Sequence, residues 1–251
     1  MAEEKKGVSR RDFMKTTGIA TGTLIGGGLI GGLIGYNAKQ DTGTQGTSQG
    51  NGQGENDHPM NVGLKFFTNA NAFNVLSQAT ERIFPEDDLG PGAIGLGAPY
   101  FIDNQLAGGY GMNAKEYMQG PFKDGEKTQG YQSRLTRAEI FSQGVAKLDE
   151  EANKRFQTGF AELEPEQMDE ILTAFQKGEV EMLAVTSDFF FKLLRQATIE
   201  GVYADPIYGG NWNMEAWKMK GFPGHQMAYI KQIEKEDFVE IEPNSISSMN
   251  H

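Results

Sequence analysis

The strongest helical pattern in the chain is TSDFFFKLLRQATIEG, residues 186–201. Its apolar residues follow the spacing i, i+3, i+4, i+7, which places them on one face of an α-helix: Phe190, Leu193, Leu194 and Ala197. Thr186-Ser187-Asp188 precedes this face, and Gly201 is expected to end the helix, because glycine is common just past a helix C-terminus. The pattern predicts a helix whose apolar face must be covered by other helices.

Four further segments show helical spacing or helix-start signals, and they are marked by Phe73 to Ile83, Ala98-Pro99, the capping-box pattern Thr136 to Glu139, and Glu164-Pro165. No alternating strand pattern, βαβ rhythm or internal repeat accompanies them. We therefore expect a mainly α fold, with a single helical domain over residues 62–251.

Two long segments between the expected helices, residues 84–99 and 201–224, are rich in Gly, Pro and large aromatic residues. Rigid Pro and permissive Gly can hold a loop in one shape with little regular structure. Large aromatic side chains in such loops either fill the domain's own core or enter a partner's pockets. The sequence leaves both interpretations open.

The N-terminal residues 1–36 have the form of an export signal. Ser9-Arg10-Arg11-Asp12-Phe13-Met14-Lys15 matches the twin-arginine pattern S-R-R-x-F-x-K, carried by Arg10, Arg11, Phe13 and Lys15, and an uncharged stretch follows over residues 16–38. We expect export by the twin-arginine machinery to the periplasm or the outer face of the cytoplasmic membrane. An uncleaved signal would remain as a membrane anchor.

Residues 37–61 contain no Leu, Ile, Val or aromatic residue and consist largely of Gly, Gln, Thr, Asn and Ser. Such a segment cannot bury enough apolar surface to offset the entropy of ordering it. We expect a disordered polar linker between the signal and the helical domain.

The composition excludes several classes of function. The 251 residues include 34 acidic and 23 basic side chains, and the net charge of −11 argues against nucleic acid as a partner. The absence of Cys excludes disulfides and Cys-ligated metals or clusters. No G-x-S-x-G, P-loop or H-E-x-x-H motif occurs. We therefore predict no catalytic, cofactor-binding or metal-binding residues in this chain.

Several motifs in the loops and helices resemble the gluconate 2-dehydrogenase subunit 3 family. The resemblance runs from about residue 70 to 225. The motifs that carry it are Glu81-Arg82-Ile83-Phe84-Pro85-Glu86-Asp87-Asp88-Leu89-Gly90-Pro91-Gly92-Ala93, Tyr100-x-Ile102-Asp103, Tyr117-x-x-Gly120-Pro121-Phe122, Thr198-x-Glu200-Gly201, Asp205-Pro206-x-Tyr208-Gly209-Gly210-Asn211, Trp217 and Gly221-Phe222-Pro223-Gly224.

The resemblance implies an accessory role. Members of the family are small subunits of membrane-associated dehydrogenases of sugars and alcohols, in which a large GMC-type flavoprotein carries FAD and a cytochrome c subunit often passes electrons onward. The small subunit escorts the flavoprotein and supplies the export signal. The expected interface with the flavoprotein comprises Phe84, Pro85, Asp87, Pro91, Tyr100, Asp103, Tyr110, Pro121, Phe122, Asp205, Pro206, Tyr208, Gly209, Gly210, Asn211, Trp217, Phe222 and Pro223.

A second hypothesis is an autonomous exported carbohydrate-active enzyme or sugar-binding domain. Carboxylate pairs can catalyse glycoside hydrolysis, and aromatic rings can stack on sugars. Its carboxylates would be Asp87, Asp103 and Asp205, and its stacking residues would be Tyr208, Trp212 and Trp217. Two carboxyl groups facing each other across a deep cleft would favour this hypothesis.

Overall fold

The computed structural model describes residues 63–123, 125–126, 129, 132–237 and 239–248. The regular structure of these residues consists of six α-helices and four short 3₁₀ helices, with no β-strand. The helices are α1 (Ala70–Ile83), α2 (Ala98–Leu106), α3 (Arg137–Phe156), α4 (Pro165–Gln176), α5 (Ser187–Tyr203) and α6 (Glu215–Lys220). The mainly α prediction is thus confirmed here, whereas the signal residues Arg10, Arg11, Phe13 and Lys15 and the linker at 37–61 lie outside the described residues. None of the described helices is both long and apolar enough to cross a bilayer.

The helix starts follow the local signals in the sequence. At α3 the Thr136 side chain accepts from the backbone N–H of Glu139, and the Glu139 carboxylate accepts from the N–H of Thr136 at 2.7 Å. Helix α4 begins with Pro165 at its first position, where a missing N–H costs nothing. The cap at Thr136 satisfies a backbone donor that the helix itself leaves unpaired, and Pro165 removes one such donor.

Helix α5 lies at the centre of the core. The Phe190 ring is fully buried, with its centroid 5.8 Å from the centroids of Phe141 in α3 and Phe175 in α4. A Cβ at Gly144 in α3 would overlap the Phe190 ring. The predicted apolar face of α5 is therefore covered by α3 and α4, and glycine at 144 lets α3 come close enough to do it.

The end of α5 differs from the prediction. Gly201 does not end the helix, which continues to Tyr203. A Cβ at Gly201 would lie only 3.0–3.1 Å from Phe101 and Ala98 of α2, and a Cβ at Gly210 would overlap the carbonyl oxygen of Gly201. Glycine is therefore needed at 201 because α2 and a loop pack closely on α5, rather than as a helix stop.

This packing predicts that Gly210→Ala destabilises the domain. The added methyl group would push against backbone rather than a flexible side chain, at a cost of about 1–3 kcal/mol. For a domain of this size each kcal/mol lowers Tm by roughly 2–4 °C. Thermal unfolding followed by circular dichroism measures the change.

Gly108→Ala is the matched control, because a Cβ there would meet carbonyl oxygens at the ordinary distances of 3.6 and 3.7 Å. Equal Tm values for the two variants would contradict the close packing of residue 210 on α5.

Candidate functional site

The two Gly/Pro/aromatic loops pack against each other at one end of α5. Buried side chains from both loops and from the ends of α2 and α5 form one apolar cluster, namely Phe84, Ala93, Leu96, Ala98, Val202 and Ala216, with Ile199, Tyr203 and Met219 packed against it. The backbone N–H of Trp212 donates to the carbonyl oxygen of Leu96 at 3.1 Å and so joins the loops directly. We call residues 84–97 and 204–224 together the two-loop platform.

Glu81 fixes the first loop of the platform. Its carboxylate accepts from the backbone N–H of Glu86 at 3.0 Å and of Ile94 at 2.8 Å. Burial raises the pKa of Glu81, and these two hydrogen bonds lower it by less, so the net shift is upward. A Cβ at Gly92 would overlap this carboxylate. Glycine at 92 therefore lets the loop close around the Glu81 side chain.

Asp205 fixes the second loop. Its carboxylate accepts from the N–H of Ile207 at 3.1 Å, the hydroxyl of Ser245 at 2.6 Å and the N–H of Ile246 at 2.9 Å. Burial raises the pKa of Asp205, but these hydrogen bonds and nearby His225 outweigh burial and hold the pKa below its ordinary value. One carboxylate thus joins the 3₁₀ turn Pro206–Tyr208 to the C-terminal turn Ile246–Ser248.

Asn211 and the two tryptophans hold the remainder of the second loop. The Asn211 side chain is buried, donates to the carbonyl oxygen of Ala204 at 2.9 Å and accepts from the N–H of Ala216 at 3.0 Å. The indole N–H of Trp217 donates to Tyr203 at 2.9 Å, and that of Trp212 donates to Gly209 at 2.9 Å. The loop therefore has one fixed shape although little of it is regular structure.

The predicted interface residues fall into three groups by exposure. Pro121, Phe122, Tyr208 and Phe222 are exposed. Nine are half-buried: Pro85, Asp87, Pro91, Tyr100, Tyr110, Asp205, Pro206, Gly209 and Pro223. Five are buried: Phe84, Asp103, Gly210, Asn211 and Trp217.

The buried group requires a correction. The Trp217 side chain is 6% exposed and packs edge-on against Phe222 with ring centroids 5.3 Å apart. Such residues offer very little side-chain surface to a partner, because the domain itself covers most of each side chain. Their role is to fill and shape the domain's own core and loops.

Asp103 is also a structural residue. It is 1% exposed and accepts from the backbone N–H groups of Lys65, Phe66 and Phe67 at 2.6, 3.1 and 2.8 Å. A carboxylate enclosed by three backbone donors cannot reach a substrate as an acid or base. Asp103 is therefore removed from the residues available to a carbohydrate-active enzyme, and Asp205 is likewise occupied by backbone and Ser245.

The segment from Tyr110 to Glu116 is tied to the start of α3. The Arg137 guanidinium lies 4.8 Å from the Tyr110 ring centroid and 2.7 Å from the Glu116 carboxylate. Asn113 accepts from the backbone N–H of Arg137 at 2.9 Å. These contacts hold the segment against α3, whereas the loops of the platform are joined to each other.

A shallow groove opens on the platform. It has a volume of about 440 Å³ and is lined by Tyr203, Trp217, Lys220 and Phe222. The Lys220 ammonium lies 5.9 Å from the Tyr203 ring centroid, within reach of a cation–π contact. The groove is aromatic with one cation at its edge, and its lining includes no carboxylate. Elsewhere in the described residues, no three His, Asp or Glu side chains are grouped so as to hold a metal ion.

Sequence reasoning missed the contribution of the C-terminal residues. Ser245 and Ile246 bind Asp205 from 40 and 41 positions away along the chain. Local patterns carry no signal for such a contact. The only hint in the sequence is the Asp205-Pro206 pair itself, which predicts a tight turn and does not reveal a second element bound to the same carboxylate.

The Asp205 contacts predict a pH-dependent loss of stability in Asp205→Asn. Because the folded pKa is lowered, the ionised carboxylate stabilises the fold above the ordinary Asp pKa of about 3.9. This stabilisation is lost as the pH falls through the folded pKa. At neutral pH the free energy of unfolding of the variant should be about 1–3 kcal/mol lower than that of wild type. This difference should shrink below about pH 4.

Urea unfolding at a series of pH values measures this difference. Asp237→Asn changes an exposed carboxyl group and should stay within about 0.5 kcal/mol of wild type. A difference for Asp205→Asn that is constant down to the lowest pH would show that the charge of Asp205 is not what binds the C-terminal turn.

Comparison with known protein families matches residues 70–224 to the family described as Gluconate 2-dehydrogenase subunit 3. No curated protein and no solved structure matches the chain. The matched residues run from the first residue of α1 through both loops of the platform, and they make up more than half of the chain. The chain therefore belongs to the gluconate 2-dehydrogenase subunit 3 family.

Proposed function

We propose that this chain is the non-catalytic small subunit of an exported FAD-dependent dehydrogenase of gluconate, other sugars or alcohols. It binds the flavoprotein subunit and supports the maturation and twin-arginine export of that subunit. The family assignment supports the role of a subunit. The observation that carries the proposal is the turn Pro206–Tyr208, in which the Ile207 and Tyr208 side chains are exposed and the Asp205 carboxylate fixes the backbone by a hydrogen bond.

The division of chemistry within the complex supports this assignment. In complexes of this family FAD belongs to the large GMC-type flavoprotein, which abstracts hydride, and a cytochrome c subunit often passes electrons onward. In this chain the carboxylates of Glu81, Asp103 and Asp205 accept hydrogen bonds from loop backbone. Acidic groups used in this way stabilise loops and are not placed to move protons on a substrate.

The platform has the physical properties of a docking surface. Tyr208 is 54% exposed, and Ile207 and Ile246 are exposed beside it on turns held by the same carboxylate. A fixed backbone loses little conformational entropy when a partner binds, so the apolar contact area contributes more fully to affinity. Tyr is among the residues that contribute most at interface hot spots.

Export of the complex would depend on this chain. The Ser9–Lys15 pattern supplies the export signal that the twin-arginine machinery recognises. A flavoprotein bound to the platform would be carried across the membrane with the small subunit. The complex would then lie in the periplasm or at the outer face of the cytoplasmic membrane, anchored there if the signal is retained.

Tyr208→Ala and Trp217→Ala should separate binding from folding. Tyr208→Ala removes exposed surface and should weaken flavoprotein binding by about tenfold or more, with Tm nearly unchanged. Trp217→Ala removes a buried ring and its hydrogen bond to Tyr203, and it should cost about 3–5 kcal/mol of stability. Thermal unfolding and the dissociation constant of the co-expressed complex are the two measurements.

Leu183→Ala is the control for Tyr208→Ala. Leu183 is also exposed, but it precedes the first residue of α5, and a 17-residue helix separates it from the platform by roughly 25 Å. It should bind the flavoprotein like wild type. If Tyr208→Ala binds as tightly as Leu183→Ala, the turn is not part of the interface.

Export should fail when Arg10 and Arg11 are both replaced by Lys. The charge is kept, but the planar guanidinium geometry that a receptor can read is lost. Both this chain and its flavoprotein should then stay in the cytoplasm, as measured by cell fractionation. Lys5→Arg with Lys6→Arg is the control outside the motif, and undiminished export of the Arg10/Arg11 variant would exclude the twin-arginine route.

A further inference from the structure

A loop beyond the family match is closed at its base. His225 donates its backbone N–H to the carbonyl oxygen of Asn244 at 2.7 Å, and Asn244 donates to the carbonyl oxygen of Pro223 at 3.1 Å. Gly224 and Asn244 form a parallel β-bridge, and Asp205 holds the next two residues. The chain therefore leaves the platform after residue 225 and returns to it at residue 244. We call residues 226–237 the C-terminal arm.

The arm exposes four large apolar side chains. Met227, Tyr229, Ile230 and Ile233 are 46–83% exposed. Ile233 donates its backbone N–H to the carbonyl oxygen of Tyr229 at 2.8 Å, which forms one helical turn. Residues three apart on such a turn lie on the same side, so Ile230 and Ile233 are neighbours. Single exposed apolar residues are ordinary, but a contiguous group marks an interaction site.

The charges of the loop indicate which kind of surface it fits. Residues 226–243 contain five acidic and two basic side chains. Anionic lipid attracts basic segments, and two copies of a chain with net charge −11 repel each other. An apolar group with acidic neighbours is complementary to an apolar groove rimmed by Lys and Arg on another protein.

We propose that the C-terminal arm docks into an apolar groove with a basic rim on the flavoprotein subunit, with Met227, Ile230 and Ile233 as its anchors. This rests on the proposed function, since it names a second contact of the same small subunit with the same partner. Helical segments bind grooves through apolar residues three or four positions apart, which is the spacing of Ile230 and Ile233. The closed base joins both ends of the loop that carries the arm to the last residues of the platform, Pro223 and Gly224.

The double variant Ile230→Ser, Ile233→Ser tests the arm in the full chain co-expressed with its flavoprotein subunit. Both residues are exposed, so Tm should stay within about 2 °C of wild type. The dissociation constant of the complex should rise at least about tenfold. Leu183→Ser is the control for an exposed apolar residue outside the arm, and it should leave the dissociation constant unchanged.

Charge reversal provides a second variant that keeps the apolar side chains. Glu234→Lys with Glu236→Lys should weaken the complex most at low salt, because unscreened repulsion from the basic rim is then strongest. If affinity is unchanged or rises at low salt, the flavoprotein has no basic rim at this contact and the proposal is wrong.

Four results with the Ile230/Ile233 variant and the wild-type chain would overturn the proposal. If the Ile230/Ile233 variant binds the flavoprotein as tightly as the wild-type chain does, the arm is not part of the interface and the proposed function still stands. No complex between the wild-type chain and the flavoprotein rejects both. If flavoprotein affinity is unchanged and the variant instead loses dimerisation in sedimentation, the arm binds a second copy of this chain. If it instead loses binding to vesicles of phosphatidylcholine and phosphatidylglycerol, the arm binds lipid.

Discussion

The close approach of α2 to the end of α5 determines where the rest of the platform lies. Gly201 gives α2 room to pack its first turn at Ala98 directly against α5, and Gly210 brings the second loop onto the same point. The Trp212 ring then covers Gly97, where a Cβ would overlap it and where the backbone φ of +75° also favours glycine. The two loops can pack on each other only because three glycines remove the side chains that would separate them.

Buried and half-buried carboxylates fix the loops that the glycines allow to pack closely. Glu81 holds the first loop, Asp103 holds the chain that leads into α1, and Asp205 joins the second loop to the C-terminal turn. Each accepts backbone N–H groups that no helix or strand would satisfy, and an unsatisfied buried donor costs about 1–3 kcal/mol. A domain with long irregular loops therefore uses its acidic residues as structure. Two of the three acids that looked like catalytic candidates, Asp103 and Asp205, are among the residues that fix the loops.

Much of the helical fold could be predicted because its signals are local. The apolar spacing of α5, the capping box at Thr136 and Pro165 at the start of α4 are contained within one or two helical turns.

The platform could be predicted only in part. Glycine often ends a helix, but Gly201 instead gives α2 room to pack against α5. Local sequence does not encode this contact between two helices. Trp217 and Tyr208 are both large aromatics in one loop, yet one fills the core and the other faces solvent. The C-terminal arm lies beyond the motifs that identify the family.

The platform and the C-terminal arm are both proposed to bind the flavoprotein. Hydrogen–deuterium exchange of the full chain, alone and in the co-expressed complex, tests this most directly, because backbone amides covered by a partner exchange more slowly. Slower exchange is predicted in residues 206–208 and 226–237, with no change in the loop that precedes α5. Protection confined to that loop, or unchanged exchange throughout the platform and arm in a complex that contains FAD, would show that neither surface binds the flavoprotein.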